Sequence, residues 1–267
     1  MGSEADLAAA RIEQALQTVA LGRSLEVWGK TASSNDLAKQ AAERGAPHGH
    51  TIVTDAQTQG RGSHGRLWSS PPDTNLYLSV VIRTPLPPAQ IAPLTLVCGL
   101  AVAETVDHFV PGTSSIKWPN DVYLNQKKCA GLLLEASSQG GATVGALIIG
   151  IGLNVNRAHF DDDLDTQATS MHLSDPELRT FDRARVLALL LRRLEAYLDM
   201  TLKIGVSPLL EEVRKRLMWR DQWVRCGESE GVFLNISHDG ALILERSGKR
   251  QHIYAGRLET CSMPQGE

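Results

Sequence analysis

With 267 residues, 42% hydrophobic and 21% charged, the chain has the size and composition of an ordinary globular protein of one large domain, or one plus a small appendage. A formal net charge of −3 excludes a protein held on nucleic acid or anionic lipid by bulk electrostatics, so any basic surface has to be local. Cys98, Cys129, Cys226 and Cys261 are irregularly spaced with no C-x-x-C pair, which suggests neither a zinc site nor a disulfide framework and suits a reducing cytoplasm.

The chain opens with no basic leader followed by an apolar core, and no run approaches the roughly 20 apolar residues of a membrane span. Residues Glu4 to Ala20 read as a short amphipathic helix capped by Ser3, with Leu7, Ile12, Leu16 and Val19 near one face. That leaves no room for a helix-turn-helix module before the first strand, Leu25 to Trp28. Thr31 to Asp36 then carries Ser33, Ser34 and Asn35 ahead of a helix over Leu37 to Arg44 that Gly45 stops. Capping explains one of these polar residues, and the surplus is suited to a ligand at the positive end of the helix dipole.

A short apolar strand, Thr51 to Thr54, leads into the loop Asp55 to Trp68, where Gly60, Gly62 and Gly65 alternate with Arg61 and Arg66. Glycine lets backbone approach a ligand closely, and arginines between glycines donate charge-assisted bonds to a carboxylate or phosphate. Alone, the stretch reads equally as an anion cradle or as an exposed loop with solvated arginines. It is neither a Gly-Lys-Ser phosphate loop nor a dinucleotide turn, because the chain runs on through Pro71-Pro72 instead of into a helix.

Leu76 to Arg83 alternates as a strand, and Pro85, Pro87 and Pro88 break it. Ile91 to Val110 reads as a buried helix with Pro93 in its first turn, ended by Pro111-Gly112. Lys117-Trp118-Pro119-Asn120-Asp121 precedes three β-type runs, Val122 to Leu124, Cys129 to Glu135 and Thr143 to Val155, with turns at Asn125-Gln126 and Gln139-Gly140-Gly141. Hairpin-sized connections mean antiparallel pairing, and helices flanking such a sheet make the class α+β. His159 to Asp182 is an acidic, polar loop, and Ala184 to Ile204 and Ser207 to about Met218 are helices. Beyond Arg220 come short strands, among them Trp223 to Cys226, Gly231 to Ile236, Ala241 to Glu245 and Gln251 to Tyr254. About five such strands suggest a small closed or half-closed β-barrel, which divides the chain into domains 1–219 and 220–267.

Lys117 precedes a Trp-Pro pair that forces extended or turning backbone, so its ammonium is held on a rigid element; an edge-strand lysine that blunts aggregation is the simpler reading. Together with Ser33-Ser34-Asn35, the Gln57 to Trp68 loop, Asn75 to Ser79, Lys128 to Glu135 and Gly150 to Asn156, it resembles biotin protein ligase, in order and over nearly the whole chain. The resemblance is to the monofunctional form without an N-terminal DNA-binding domain.

It implies a mixed, largely antiparallel sheet flanked by helices, the class II synthetase-like biotin ligase fold, with a C-terminal SH3-like barrel. It implies an ATP-dependent enzyme that makes biotinyl-5'-AMP and passes biotin to a lysine of a biotin carboxyl carrier protein domain. The substrates are biotin and ATP with Mg2+, with no dedicated protein metal site, no DNA and no membrane. A homodimer is compatible with it.

By the same resemblance, Ser33, Ser34, Asn35 and Gln57 bind the biotin head and adjoining groups, and Arg61, Gly62 and Ser63 hold the carboxylate and phosphate region. Lys117 bridges carboxylate and α-phosphate, and Lys117 and Arg61 are the catalytic cations. Gly131 lets backbone approach biotin, Trp68 stacks on adenine, Arg66, Asn120 and Asn154 lie at the adenylate, and Asp121 buttresses the Lys117 turn. The family's second loop arginine is Ser63 here, so His64 or Arg66 supplies that charge or the adenylate is held less tightly. The rival readings are a lipoate ligase or octanoyl transferase of the same fold, for which Cys129 beside Lys128 is the available acyl acceptor, and a non-catalytic biotin-sensing protein.

Overall fold

The computed structural model describes residues 7–83, 87–112, 114–137, 145–161 and 167–263. Ser3, Glu4, Pro85, the Gln139-Gly140-Gly141 turn, residues 162–166 and the side chain of His64 lie outside the described residues. The main sheet has seven strands: β1 (Leu25–Thr31), β2 (Thr51–Gln57), β3 (Leu76–Ile82), β4 (Ser115–Lys117), β5 (Asp121–Leu124), β6 (Lys127–Ser137) and β7 (Ala146–Leu153). Their order is β1-β2-β3-β7-β6-β5-β4, and only the β1–β2 pair is parallel. That pair is joined through helix α2 (Ser34–Glu43), the crossover a parallel pair requires. Helix α1 is Ala9–Ala15, shorter than the Glu4 to Ala20 expected, and Ala8 caps it without a side-chain bond.

Strand alternation sends side chains to two unlike faces. Val80, Ile82, Leu132, Ile149 and Ile151 enter a large core beneath helices α3 (Ile91–Phe109), α4 (Arg183–Ile204) and α5 (Ser207–Lys215). Ile52, Val81 and Ile148 face the other way, against Ala38, Ala41 and Ala42 of α2. Further along that second face β7 carries Gly150 and Gly152, in register with Leu133 and Gly131 of β6 and with Ser79 and Tyr77 of β3. The sheet is therefore carpeted with backbone where α2 ends, which leaves room for something to lie on it.

The α3 helix has 19 residues and is apolar enough by length and composition to cross a bilayer, which the sequence reading did not anticipate; it lies mostly buried inside the core. Strands β8 (Trp223–Cys226), β9 (Ser229–Ile236), β10 (Leu242–Arg246), β11 (Lys249–Ile253) and β12 (Leu258–Thr260) form a five-stranded antiparallel sheet, ordered β11-β10-β9-β8-β12. Among the described residues no pairing joins β11 to β12, so the sheet is not a closed barrel. It is tied to the larger unit where Trp118 Nε1 donates to Gly240 O at 2.9 Å and Arg214 Nη2 to Ile236 O at 3.1 Å.

Candidate active site

Two recesses adjoin on the glycine-lined face. The smaller, about 40 Å3, is lined by Ser33, Ser34, Asn35, Gln57, Arg61 and Gly131, with Gly150 and Gly152 also in its wall. The larger, about 230 Å3, takes in Arg66, Lys117, Asn120, Asp121, Tyr123 and Asn154, and its far wall is Gly256, Arg257 and Leu258 from the C-terminal sheet. Gly62, Ser63, Trp68, Asn120 and Lys128 line both. The expected residues thus converge, with Arg61 on the small recess and Lys117 on the large one.

In the small recess Ser33 occupies the N-cap of α2, but its hydroxyl makes no capping bond. The Ser34 amide donates to Gln57 Oε1 at 2.8 Å, and Gln57 Nε2 donates to Ser70 Oγ at 3.0 Å, stitching the loop to the helix start. Ser79 Oγ lies 2.6 Å from Asn35 Oδ1 and 2.8 Å from Ser34 Oγ, while Asn35 Nδ2 donates to Glu135 Oε2 at 2.7 Å. Glu135 also accepts from Lys39 at 2.7 Å and from Arg61 at 3.0 Å. Burial alone would push the Glu135 carboxyl up, but the Lys39 and Asn35 hydrogen bonds and the Arg61 charge outweigh it and hold it below the usual range. Arg61 additionally bonds Asp36 at 2.6 Å, so its guanidinium is shared between two carboxylates.

The glycine loop is folded back on itself. Gly62 N donates to Arg66 O at 2.7 Å and Trp68 N to Gly60 O at 2.8 Å, around a single 3-10 turn at Ser63–Gly65. Arg66 Nη2 lies 3.4 Å from Ser63 Oγ, which places an arginine beside the position where this chain has serine. Trp68 lies on the sheet: a Cβ at Gly152 would come within 2.5 Å of its indole and one at Gly131 within 2.9 Å. Its ring also meets the Lys128 ammonium, 5.3 Å from the centroid, and its buried Nε1 has no partner among the described residues. The indole thus stands between the recesses and lines both.

Lys117 ends β4 and is only 9% exposed. Its ammonium lies 3.5 Å from Tyr123 Oη, and it sits over the rings of Tyr123 and Trp219 at 5.5 and 4.6 Å. Burial lowers its pKa, Asp121 opposes that, and Arg257 and Lys128 add to it. The nearest motif carboxylate, Asp121, is paired with Lys128 at 2.6 Å. Asn154 and Asn120 line the cavity with their amides committed: Asn154 Nδ2 to Thr169 O at 3.0 Å, Asn154 Oδ1 to Asn75 at 3.2 Å, and Asn120 Nδ2 to Leu132 O at 2.7 Å. These two shape the wall more than they offer free donors.

Lys128, Glu135, Gly150 and Gly152 fall in the motifs of the resemblance without an assigned role, while Tyr123 and Arg157, which line the larger cavity, and Trp219 carried no expectation. A signal existed for the glycines, whose period of two marks one face of a strand. None existed for Trp219, which lies in the segment before the second sheet.

The arrangement is a divided cleft with serine, asparagine and glutamine side chains at one end and Lys117, which makes no ion pair among the described residues, at the other. The model of the biotin/lipoate A/B protein ligase family matches residues 28–154. The bifunctional ligase/repressor BirA of Bacillus subtilis is 31% identical over 265 residues, covering 95% of this chain and 79% of that protein. The biotin–acetyl-CoA-carboxylase ligase of Mycobacterium tuberculosis is 32% identical over 244 residues, 88% of each chain. Among solved structures, biotin protein ligase from Aquifex aeolicus in complex with biotin and ATP superposes with a TM-score of 0.76 at 27% identity, covering 89% of this chain and 98% of that one.

Proposed function

The chain belongs to the biotin protein ligases of the biotin/lipoate A/B protein ligase family, and from that premise we propose how its own residues divide the work. The enzyme activates biotin with ATP as biotinyl-5'-AMP and transfers the biotinyl group to a lysine of a carrier protein. A biotin carboxylate oxygen attacks the α-phosphorus, the bond to the β-phosphate breaks, and pyrophosphate leaves. The carrier amine then attacks the acyl carbon of the mixed anhydride and AMP leaves with the bonding electrons. Both steps concentrate negative charge, so positioning and fixed positive charge are the protein's task.

In this reading the small recess takes the ureido head on Ser33, Ser34, Asn35 and Gln57 and lays the tetrahydrothiophene ring on the floor of Gly131, Gly150 and Gly152. Trp68 covers Gly131 and Gly152 of that floor, so in this reading its indole shifts as biotin enters. The nucleotide takes the larger cavity, with Lys117 facing the reacting carboxylate and α-phosphate and Arg66 with Gly62 and Ser63 closing the junction. Mg2+ comes with the ATP phosphates. The observation that carries the assignment is the juxtaposition of a recess lined by Ser33, Ser34, Asn35 and Gln57 and a buried Lys117 that makes no ion pair among the described residues, across one shared loop.

We further place a domain boundary near Arg220, a cytoplasmic location, no use of DNA, and a biotin carboxyl carrier domain as acceptor. The acyl transferase alternative is disfavoured by Cys129, which is fully buried with its thiol pushed up to about 12 by that burial. The test is incubation with biotin, ATP, Mg2+ and a carrier domain, read by intact mass. One biotinyl group on one lysine is the expected result; ligand binding with no transfer would leave a sensor instead.

A further inference from the structure

Two lysines face the cleft, and the fold treats their charges differently. Lys128 is paired with Asp121 at 2.6 Å. Lys117 lies against aromatic faces instead, with Trp219 the nearer at 4.6 Å from ammonium to ring centroid and Tyr123 at 5.5 Å. Asp121, opposite Lys117 in the β4–β5 register, acts on that ammonium while its ion pair is with Lys128, whereas a carboxylate in direct contact would cancel the field that Lys117 presents to an anion. A π face stabilises the ammonium and leaves its charge in place.

Trp219 is held where it is from both sides. On one side Ile116 N donates to Arg216 O at 2.8 Å and Met218 N to Ile116 O at 2.9 Å, which fastens the segment along β4 next to Lys117. On the other, Gln222 N donates to Trp219 O at 3.2 Å, Asp221 N to Phe233 O at 2.7 Å and Phe233 N to Gln222 O at 2.9 Å, which fastens it to β9. Between these clamps Trp219 adopts φ 65°, a left-handed conformation unfavourable for a bulky L residue. The backbone thus takes up a strained turn at the residue whose ring covers the ammonium.

We propose that Trp219 is a positioning residue for Lys117: delivered by the segment joining the two sheets, its indole holds the ammonium toward the cleft by a cation–π contact without neutralising it. The role of the C-terminal sheet then includes fixing the geometry of the adenylation step through Trp219. This rests on the ligase reading above.

The test is single-turnover pyrophosphate release at saturating biotin and Mg2+-ATP for Trp219→Leu and Trp219→Phe, each made with Lys117 intact and with Lys117→Ala. Trp219→Leu lowers the maximal rate by about two- to thirty-fold, the range of a cation–π contact, while Trp219→Phe keeps most of it. With Lys117→Ala present, Trp219→Leu changes the residual rate by less than about twofold, because the contact is already gone. Equal losses in both backgrounds, or a Phe variant as slow as the Leu variant, would overturn the proposal. If Trp219→Leu fails to fold, Trp219→Met compared with Trp219→Phe at matched thermal midpoints makes the same comparison. A wild type that releases no pyrophosphate overturns the ligase reading itself. An active wild type indifferent to Trp219→Leu overturns only the role of Trp219.

Discussion

Substituting Gly150 by Ala tests the glycine floor with a single methyl group. The new Cβ would lie 2.1 Å from Asn35 Oδ1 and 2.8 Å from its Cγ and Nδ2, so either the strand or the amide has to move. The amide is pinned by Ser79 at 2.6 Å, Glu135 at 2.7 Å and the Leu133 carbonyl at 3.3 Å, and swinging it away breaks those bonds. Overpacking costs about 1–3 kcal/mol and each lost bond about 1 kcal/mol net, offset by up to about 1 kcal/mol for removing a strand glycine. The expected net destabilisation is about 3–6 kcal/mol, read as a lower midpoint in urea at unchanged slope. Biotin affinity falls about ten- to a hundred-fold in calorimetric titration, because the displaced Asn35 leaves the recess. In an Asn35→Ala background the same methyl group should cost almost nothing further. A Gly150→Ala protein with wild-type stability and biotin affinity would refute the floor and Asn35's place above it.

Glu135→Gln tests the cluster around Arg61 by pH. The folded carboxyl titrates below its ordinary 4.5, so its stabilisation is complete above about pH 4.5 and is lost as pH falls through the folded value. The Gln variant should be less stable at neutral pH and lose less on acidification; urea midpoints across pH 3 to 7 with parallel curves would contradict this. Arg66→Ala tests the substitute for the missing loop arginine. Without carrier, the variant should release free biotinyl-5'-AMP several-fold faster than wild type, and unchanged release by chromatography would show that Arg66 does not retain it.

Local pattern carried much of the fold. An alternating run located β3, apolar β-type runs between turns located β6 and β7, the apolar run located α3, and short strands between glycine turns located the second sheet. The first helix is shorter than its periodicity suggested: after Ala15 the buried Leu16 is extended and the buried Leu21 lies in a turn, while Val19 is exposed. The edge strand β12 is three residues long and carries one buried side chain, Leu258, too little to register as a pattern. At the site, Lys117, Arg61 and the Ser33 to Asn35 turn were legible because unusual residues cluster there. Gly150 and Gly152 were quoted as a motif but not as a surface, since glycine in a strand gives no sign of which face it vacates. The Asp121–Lys128 pair and Trp219 depend on which strands meet, and Trp219 lies about a hundred residues from the lysine it touches.

The most direct measurement is pyrophosphate release with Mg2+-ATP and biotin, beside lipoate and octanoate, for wild type and Lys117→Ala. Release with biotin alone, falling by about 10²- to 10³-fold in the variant as expected for a lost charge-stabilising donor, is the result that follows from a caged, unpaired Lys117. Release with lipoate in place of biotin, or a Lys117→Ala protein as fast as wild type, would contradict it.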